Sequence, residues 1–413
     1  MTLFKLALQF IHRKRIRVLL CTVIIFVFVV YGKRFIKKAC RASLPIKYQL
    51  SKSTNTDLVL SFNETKEHLC AIIMSPSLNR VFADTLARFT RVEERPWPLN
   101  TVHGCHAFKL PTGEEPGISQ EELEYPLAFS FNIHTEFAQF ARLLRAVYRK
   151  HNIYCIHVDG KSEKTFRQQV ETLAQCFGSN IHIIPEEQSY SITWGDFGPI
   201  ESWILCARHF LTQSTVRWKY MLNGSGQEFP LRTNWELVKA LKAVNGSNII
   251  EFDDYKFVTE RAPKERPALN VSKLIRLQDE LFFTTLSANA HFNAPGGCPN
   301  HRSNDSDPRA LFIARYVEWY PKECERIQRF LCITGVKHIP KLISRPEFFV
   351  NKFIYDFQPL AYDCLEWWLL RKIKHEGESG QTVIDFDPSF YNRGPKSCKH
   401  FEDIGILSNL RVL

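Results

Sequence analysis

The chain has 413 residues, of which 45% are hydrophobic and 23% charged. These proportions suit a globular protein with a sizeable core and exclude a disordered or fibrous one. The formal charge is +11, but no zinc-finger, basic-zipper or RNP-type motif accompanies it, so nucleic acid is not expected as a partner. Much of the surplus is local. Lys5, Arg13, Lys14, Arg15 and Arg17 precede an apolar stretch near the N-terminus, and Lys33, Arg34, Lys37, Lys38 and Arg41 follow it. The remaining surplus suits an anionic ligand.

That stretch, residues 18–32 (VLLCTVIIFVFVVYG), carries no charge. It falls short of the ~20 residues a helix needs to cross a bilayer. Flanking Lys and Arg stems extend such a span, and thinner membranes accept it. Tyr31-Gly32-Lys33-Arg34 makes a poor signal-peptidase site, which favours an uncleaved anchor over a cleaved leader. Basic residues balance across the stretch, so charge does not fix its orientation. A short inner tail (1–17), a membrane anchor (18–32) and a large lumenal region is the economical arrangement. Twelve cysteines and five sequons, at Asn63, Asn223, Asn245, Asn270 and Asn304, favour an oxidising, glycosylating compartment. Asn223 lies inside the WKYMLNGSGQEFP block, near the expected interior of the fold, and is not expected to carry a glycan. No CxxC pair occurs, so the cysteines do not read as a zinc site.

Residues 33–120 read as a stem and N-terminal lumenal segment. A short strand is expected at 58–62, with weak helical patterns at 69–74 and 81–92. Pro96, Pro98, Pro111, Pro116 and Gly117 then break the chain. The domain proper, 121–413, opens with the stretch on which the rest depends, 125–160. Residues 127–133 form an apolar strand with Phe129 and Phe131. Phe137, Phe140, Ala141, Leu144, Val147 and Tyr148 recur at helical spacing, and 153–158 is a second strand ending in Asp159-Gly160. A strand–helix–strand unit of this length makes a parallel crossover, and ligands of such sheets bind beyond the carboxyl ends of the strands. His134 and Asp159 occupy those ends. They suit the uracil and ribose of a nucleotide; equally, Asp159 caps a turn and His134 is an ordinary loop residue. A helix over 162–177 with Ser162 as N-cap, a strand at 181–184, a helix at 200–211 and a strand at 218–222 follow. Gly224-Ser225-Gly226 reads as a turn where backbone approaches a ligand. The alternation predicts an α/β domain with a mixed, mostly parallel central sheet.

Three blocks carry a specific resemblance: YPLAFSFNIHTEFAQFARLLRAVYRKHNIYCIHVDGKSEKTF at the start of the domain, WKYMLNGSGQEFPLRTNWELV at 218–238, and FFVNKFIYDFQPLAYDCLEWWLLRK at 348–372. In this order they resemble the core 2 / I-branching β-1,6-N-acetylglucosaminyltransferases (glycosyltransferase family 14), most like its nematode-type branch. The resemblance covers roughly residues 120–375. It implies a GT-A-like nucleotide-sugar-binding fold behind a single transmembrane helix and stem, and a type II Golgi protein. It implies a UDP-sugar donor, an O-glycan or glycoprotein acceptor, and no metal cofactor; a homodimer stays among the open oligomeric states. It also implies four disulfides, Cys105–Cys176, Cys155–Cys206, Cys324–Cys332 and Cys70–Cys364. Cys298 and Cys398 lack a family counterpart and are candidates to pair with each other; Cys40 is unassigned. Ser225 stands where some relatives carry a free cysteine, so thiol-directed inactivation there is not expected. One departure stands out. Relatives have a longer segment than residues 251–280, so part of an acceptor pocket is expected to be missing.

Inverting transfer from a nucleotide sugar needs a base for the acceptor hydroxyl and positive charge for the departing diphosphate. Unaided, a glutamate before an apolar run is a helix-start charge; the resemblance gives Glu280, in Gln278-Asp279-Glu280, the role of base. Acidic clusters that could hold a divalent ion occur at Asp253-Asp254, Asp305-Ser306-Asp307 and Asp385-Phe386-Asp387. The resemblance instead implies Arg329 and Lys352 in place of a metal, Arg as a bidentate fork and Lys as a point charge. Trp319 and Tyr320 are candidates to stack on an acceptor sugar, with a core role as the alternative. Glu251, Lys264 and Arg266 resemble contacts to acceptor hydroxyls. The Trp367-Trp368 pair reads as core.

Overall fold

The computed structural model describes residues 67–75, 105, 117–193, 195–250, 278–297, 309, 312–319 and 324–393, without the side chains of 278–281 and 288. The expected anchor at 18–32, the elements at 58–62 and 81–92, the sequons Asn63, Asn270 and Asn304, and Cys40, Cys298 and Cys398 lie outside these residues. Among the described residues no helix is long and apolar enough to cross a membrane. The weak helical pattern at 69–74 becomes a helix over 67–73.

A short helix, α1 (Gln120–Leu123), opens the domain behind a Ser119/Glu122 capping box. The expected strand–helix–strand unit follows as β1 (Leu127–Ile133), α2 (Phe137–Val147) and β2 (Ile153–Val158). Next come α3 (Lys164–Phe177), β3 (Ile181–Ile183), α4 (Gly198–Thr212) and β4 (Tyr220–Ser225). The four strands form an all-parallel sheet in the order β3-β2-β1-β4, with Phe129 between Tyr154 and Leu222. Strands β1 and β2 are buried almost throughout, as a sheet covered on both faces requires. Side-chain alternation divides them. Leu127, Phe129, Phe131 and Ile133 pack with Phe140 and Leu144 of α2, Phe166 and Val170 of α3, and Leu237 and Leu241 beyond. Ala128, Ile153 and Cys155 face the other way, onto Cys206 and Phe210 of α4.

The second half builds a smaller layer. Strand β5 (Glu228–Pro230) leads into α5 (Asn234–Val244), which starts at a Thr233/Glu236 capping box. Helix α6 (Gln278–Ala288), β6 (Arg315–Tyr316), a hairpin of β7 (Ile327–Gln328) and β8 (Leu331–Cys332), α7 (Ile339–Leu342), β9 (Phe349–Asn351) and α8 (Pro359–Ser379) complete the described domain. Strand β9 pairs antiparallel with β5 and parallel with β6, so the mixed pairing lies in this second sheet. Its core joins Phe229, Leu231, Val350 and Phe353 to Leu360, Leu365 and Leu369 of α8. Trp367 and Trp368 are partly buried against that core, each beneath a cation from Arg371 or Lys372. All four expected disulfides are present. Cys70–Cys364 ties the 67–73 helix to α8 and closes a 294-residue span.

Helix α8 is fastened to α2 by buried charge. Arg142 donates to Asp363 at 2.6 Å and to Glu366 at 2.7 Å, and Arg145 also pairs with Glu366. Burial pushes the Glu366 carboxyl up, but Arg142 and Arg145 outweigh it and hold the pKa at about 2.

Two local expectations are corrected. Gly224 and Ser225 belong to β4, not to a turn. The missing Cβ of Gly224 makes room for the Phe131 ring, whose Cε1 stands 3.1 Å from where that carbon would be, and Gly226 makes room for Ile133. Close packing on β1 accounts for both glycines, and Gly226 does lie in the turn after β4. Ser162 does not cap α3: its hydroxyl donates to the His134 carbonyl, and Glu163 occupies the cap position without a side-chain bond. Asn223 does lie inside the central sheet, paired with Ser130, and its Oδ1 accepts from Arg315. Asn245 is exposed at the C-cap of α5, with φ at 53°.

Candidate active site

His134 is the first residue after β1 and Asp159 the first after β2. The parallel register sets Ile133 beside Val158, and the Asp159 N–H donates to the Ile133 carbonyl at 2.8 Å. Both residues therefore leave the sheet at one level. Lys352 enters from the second sheet, directly after β9, and Arg329 from the tip of the β7–β8 hairpin. The four meet electrostatically. Burial lowers the pKa of His134; Asp159 opposes the shift, and Lys352, Lys161 and Arg329 add to it. The imidazole is thus neutral at neutral pH. Burial and the charge of Arg329 lower Lys352 to about 8. Two cations whose charges act on one another, one of them desolvated, favour an anion nearby.

Asp159 also caps its own turn. Its carboxylate accepts from the Lys161 N–H at 2.8 Å and the Ile192 N–H at 3.3 Å. The segment after β3 folds over this turn: Gly160 donates to the Tyr190 carbonyl, and a Cβ on Gly160 would come within 3.1 Å of the Ser189 carbonyl. His157, buried in β2, accepts from the Tyr190 N–H at 2.9 Å, and burial lowers it to about 4, which keeps that nitrogen free to accept. Asp159 thus caps its turn at the carboxyl end of β2.

Lys352 is held from several sides. Its carbonyl accepts from Thr334 beyond β8, and the next N–H, of Phe353, donates to Gln227. Its neighbour Asn351 donates to Glu228 at 3.1 Å; Glu228 is buried in β5 and also receives Arg315 Nε at 3.0 Å and the Ser225 hydroxyl at 3.3 Å. A single carboxylate thus joins the end of β4 to β5, β6 and β9. The pairing Gln328↔Leu331 leaves Arg329 and Phe330 as a two-residue loop with φ values of 49° and 69°. Positive φ at both positions defines a type I′ turn, which favours Asn-Gly. Bulky residues there cost about 1–3 kcal/mol each and persist only where surroundings enforce them. The Cys324–Cys332 disulfide, the Cys332 N–H to Glu318 carbonyl bond and the Trp319↔Leu331 bridge supply that enforcement.

The remaining candidates divide. Trp319 is half-buried on the flank of the hairpin. Glu280 falls in the first turn of α6, where the helix dipole stabilises an anion. That helix packs on α4 through Phe282 against Phe197 and Phe283 against Trp203. Tyr320, Glu251, Lys264, Arg266, Asp253, Asp254, Asp305 and Asp307 lie outside the described residues. Asp387 accepts from the backbone N–H and hydroxyl of Ser389, both at 2.9 Å, so it caps a helical turn. Glu318, Cys332 and His338 also come together, but Cys332 is committed to its disulfide. Sequence reasoning missed Glu228, Lys161 and Tyr190. Glu228 sits in the quoted GQEFP block and Lys161 two residues after Asp159, yet only tertiary pairing gives them a part.

Comparison with known proteins agrees with this architecture. A family model described as Core-2/I-Branching enzyme matches residues 127–277. The beta-1,3-galactosyl-O-glycosyl-glycoprotein beta-1,6-N-acetylglucosaminyltransferase 3 of Ovis aries is 30% identical over an alignment of 336 residues that covers 66% of this chain and 74% of that protein. Its Homo sapiens counterpart is 31% identical over 334 residues, 66% and 75% of the two chains. A transferase of the same description from Bovine herpesvirus 4 is 29% identical over 336 residues, 66% and 74%. On this similarity, the chain belongs to the core-2/I-branching enzyme family of glycosyltransferases.

Proposed function

We propose that the chain transfers N-acetylglucosamine from UDP-N-acetylglucosamine, with inversion and without a bound metal, to a mucin-type O-glycan in β-1,6 linkage. The observation that carries this reading is the meeting of Arg329, Lys352, His134 and Asp159 beyond the carboxyl ends of β1 and β2. In the proposed mechanism Asp159 and neutral His134 hold the uridine end. Arg329 and Lys352 hold the diphosphate. Glu280 accepts the proton of the acceptor's primary hydroxyl as its oxygen bonds to the anomeric carbon. The bond from that carbon to the phosphate oxygen breaks, and UDP leaves with the electron pair. The charge that grows on it falls to the two cations, which do the work a divalent ion does elsewhere. Trp319 and Tyr320 receive the acceptor's apolar face, and Glu251, Lys264 and Arg266 its hydroxyls. Anchored through 18–32 with residues 33–120 as stem, the domain works in the Golgi lumen as a type II protein.

A transfer assay tests this. UDP-N-acetylglucosamine, UDP-glucose and UDP-xylose are offered with a galactosylated O-glycan acceptor, with and without EDTA. Transfer from the first, unchanged by EDTA, is the expected result. Preference for another donor replaces the sugar assignment, and loss of transfer in EDTA removes the cation mechanism. UDP binding without any transfer would mark a catalytically inactive relative.

A further inference from the structure

Glu228, at the start of β5, is 4% exposed. Both of its carboxylate oxygens accept from the fold's own donors. Oε1 receives the Asn351 amide at 3.1 Å, Arg315 Nε at 3.0 Å and the Ser225 hydroxyl at 3.3 Å, and Oε2 receives Arg315 Nε at 3.1 Å. A buried charge is costly unless it is paired and hydrogen-bonded, and this one is both. What the arrangement holds is Lys352. Asn351 precedes it, and Glu228 is the register partner of Asn351 across β5 and β9. On the far side of Lys352 the Phe353 N–H donates at 2.9 Å to the carbonyl of Gln227, the residue before Glu228. Residues 227 and 228 thus hold the chain on both sides of the lysine. From this geometry we infer that Glu228 is a positioning residue which, through Asn351, sets the Lys352 ammonium at the distance from His134 and Asp159 that a nucleoside diphosphate spans. The inference rests on the proposed function above, which gives Lys352 the diphosphate.

Arg315 supplies the other half of the link. Besides bonding Glu228, it donates to the Oδ1 of Asn223 at 3.0 Å and to the Asn223 carbonyl. Asn223 lies in β4 beside Ser130 of β1, and β1 runs on to Ile133, the residue before His134. A continuous path therefore leads from Lys352 through Asn351, Glu228, Arg315 and Asn223 to the strand that delivers His134. The two ends of the path belong to different sheets. A ligand that spans both sheets benefits from holding both ends only where their separation is fixed. Lys352 is a point charge on a flexible four-carbon stem, so where its backbone is held decides where the charge can act. Burial and Arg329 set the charge of the lysine; Glu228 sets its place.

A double-mutant cycle on the full chain tests this. Wild type, Asn351→Ala, Lys352→Ala and the double variant are compared, with Kd for UDP and for uridine measured from about pH 6.5 to about 9.5 and Tm alongside. Asn351→Ala should weaken UDP about 5-fold with uridine within about twofold of wild type, because only the diphosphate meets the displaced ammonium. It should also flatten the fall in UDP affinity at alkaline pH, which a general loss of stability would leave in place. In the Lys352→Ala background the same change should alter UDP Kd by less than about twofold, since its route to the ligand is gone. Glu228→Ala should reproduce the pattern of Asn351→Ala with a lower Tm, because Arg315 loses its counter-charge; should that variant not fold, the cycle decides alone. Additive losses, an unchanged UDP Kd in Asn351→Ala, or equal losses for UDP and uridine would reduce Glu228 to a strut of the second sheet. An unchanged UDP Kd in Lys352→Ala would instead take the lysine out of the diphosphate site and overturn the proposed cation mechanism.

Discussion

Arg329 and Lys352, which come from different strands, are close enough that the guanidinium, together with burial, holds the lysine at about pH 8. The repulsion is tolerated because each is fixed by its backbone, Arg329 on the disulfide-bound hairpin and Lys352 after β9.

The first prediction concerns pH. Lys352 is charged below about pH 8 and neutral above it. UDP affinity should therefore be flat below pH 7 and fall about 10-fold as pH rises to 9.5, the scale of one charge-assisted bond. Calorimetric titration of UDP across this range checks it. Lys352→Ala should bind weakly at every pH, and an unchanged slope in that variant would detach the effect from Lys352.

Glu280→Gln should reduce transfer by at least ~100-fold while UDP Kd stays constant, because a base acts on the acceptor and not on the nucleotide. Single-turnover assays with saturating donor separate the two. Arg329→Ala should weaken UDP while leaving uridine binding unaffected, and should slow transfer too, because the same cation takes up the departing charge.

Stability should also depend on pH through a carboxyl remote from the site. Glu376 of α8 is buried beside Glu236, with Thr233 donating its hydroxyl at 2.6 Å and Lys372 pairing with Glu236. Burial pushes its pKa up to about 8, with Glu236 adding to the rise and the Thr233 bond opposing it. The folded state therefore holds a proton that the unfolded chain releases near pH 4.5. Stability should fall as pH rises from 5 to 8. Tm measured over that window should drop by several degrees in the wild type and less in Glu376→Gln.

The buried cluster between α2 and α8 gives a fourth test. Glu366→Ala leaves Arg142 and Arg145 without their shared partner, a change that costs about 3–5 kcal/mol. Urea denaturation should show this loss. Because Glu366 is held at about 2, the stability it supplies at neutral pH should be lost only as pH falls toward 2.

Periodicity made the first crossover legible. The helical spacing from Phe137 to Val147 and the apolar runs on either side give α2, β1 and β2 almost residue for residue, since local burial patterns follow local geometry. Cap chemistry was less readable. Ser162 has the right side chain for an N-cap, but its hydroxyl found the His134 carbonyl, a partner remote in the chain. Gly224 looked like turn punctuation, yet the cause of the glycine is a phenyl ring on the neighbouring strand.

The sequence by itself determined the parallel α/β sheet, the ends at which His134 and Asp159 sit, and, through resemblance, the four cysteine pairs. Those features depend on residue type at short spacing or on recognisable blocks. Only tertiary structure decided that Arg329 and Lys352 face His134, that Glu228 binds four strands together, and that Phe330 stands exposed on a strained turn. Long-range pairing of strands brings those groups together, and no spacing along the chain encodes a distance across a cleft.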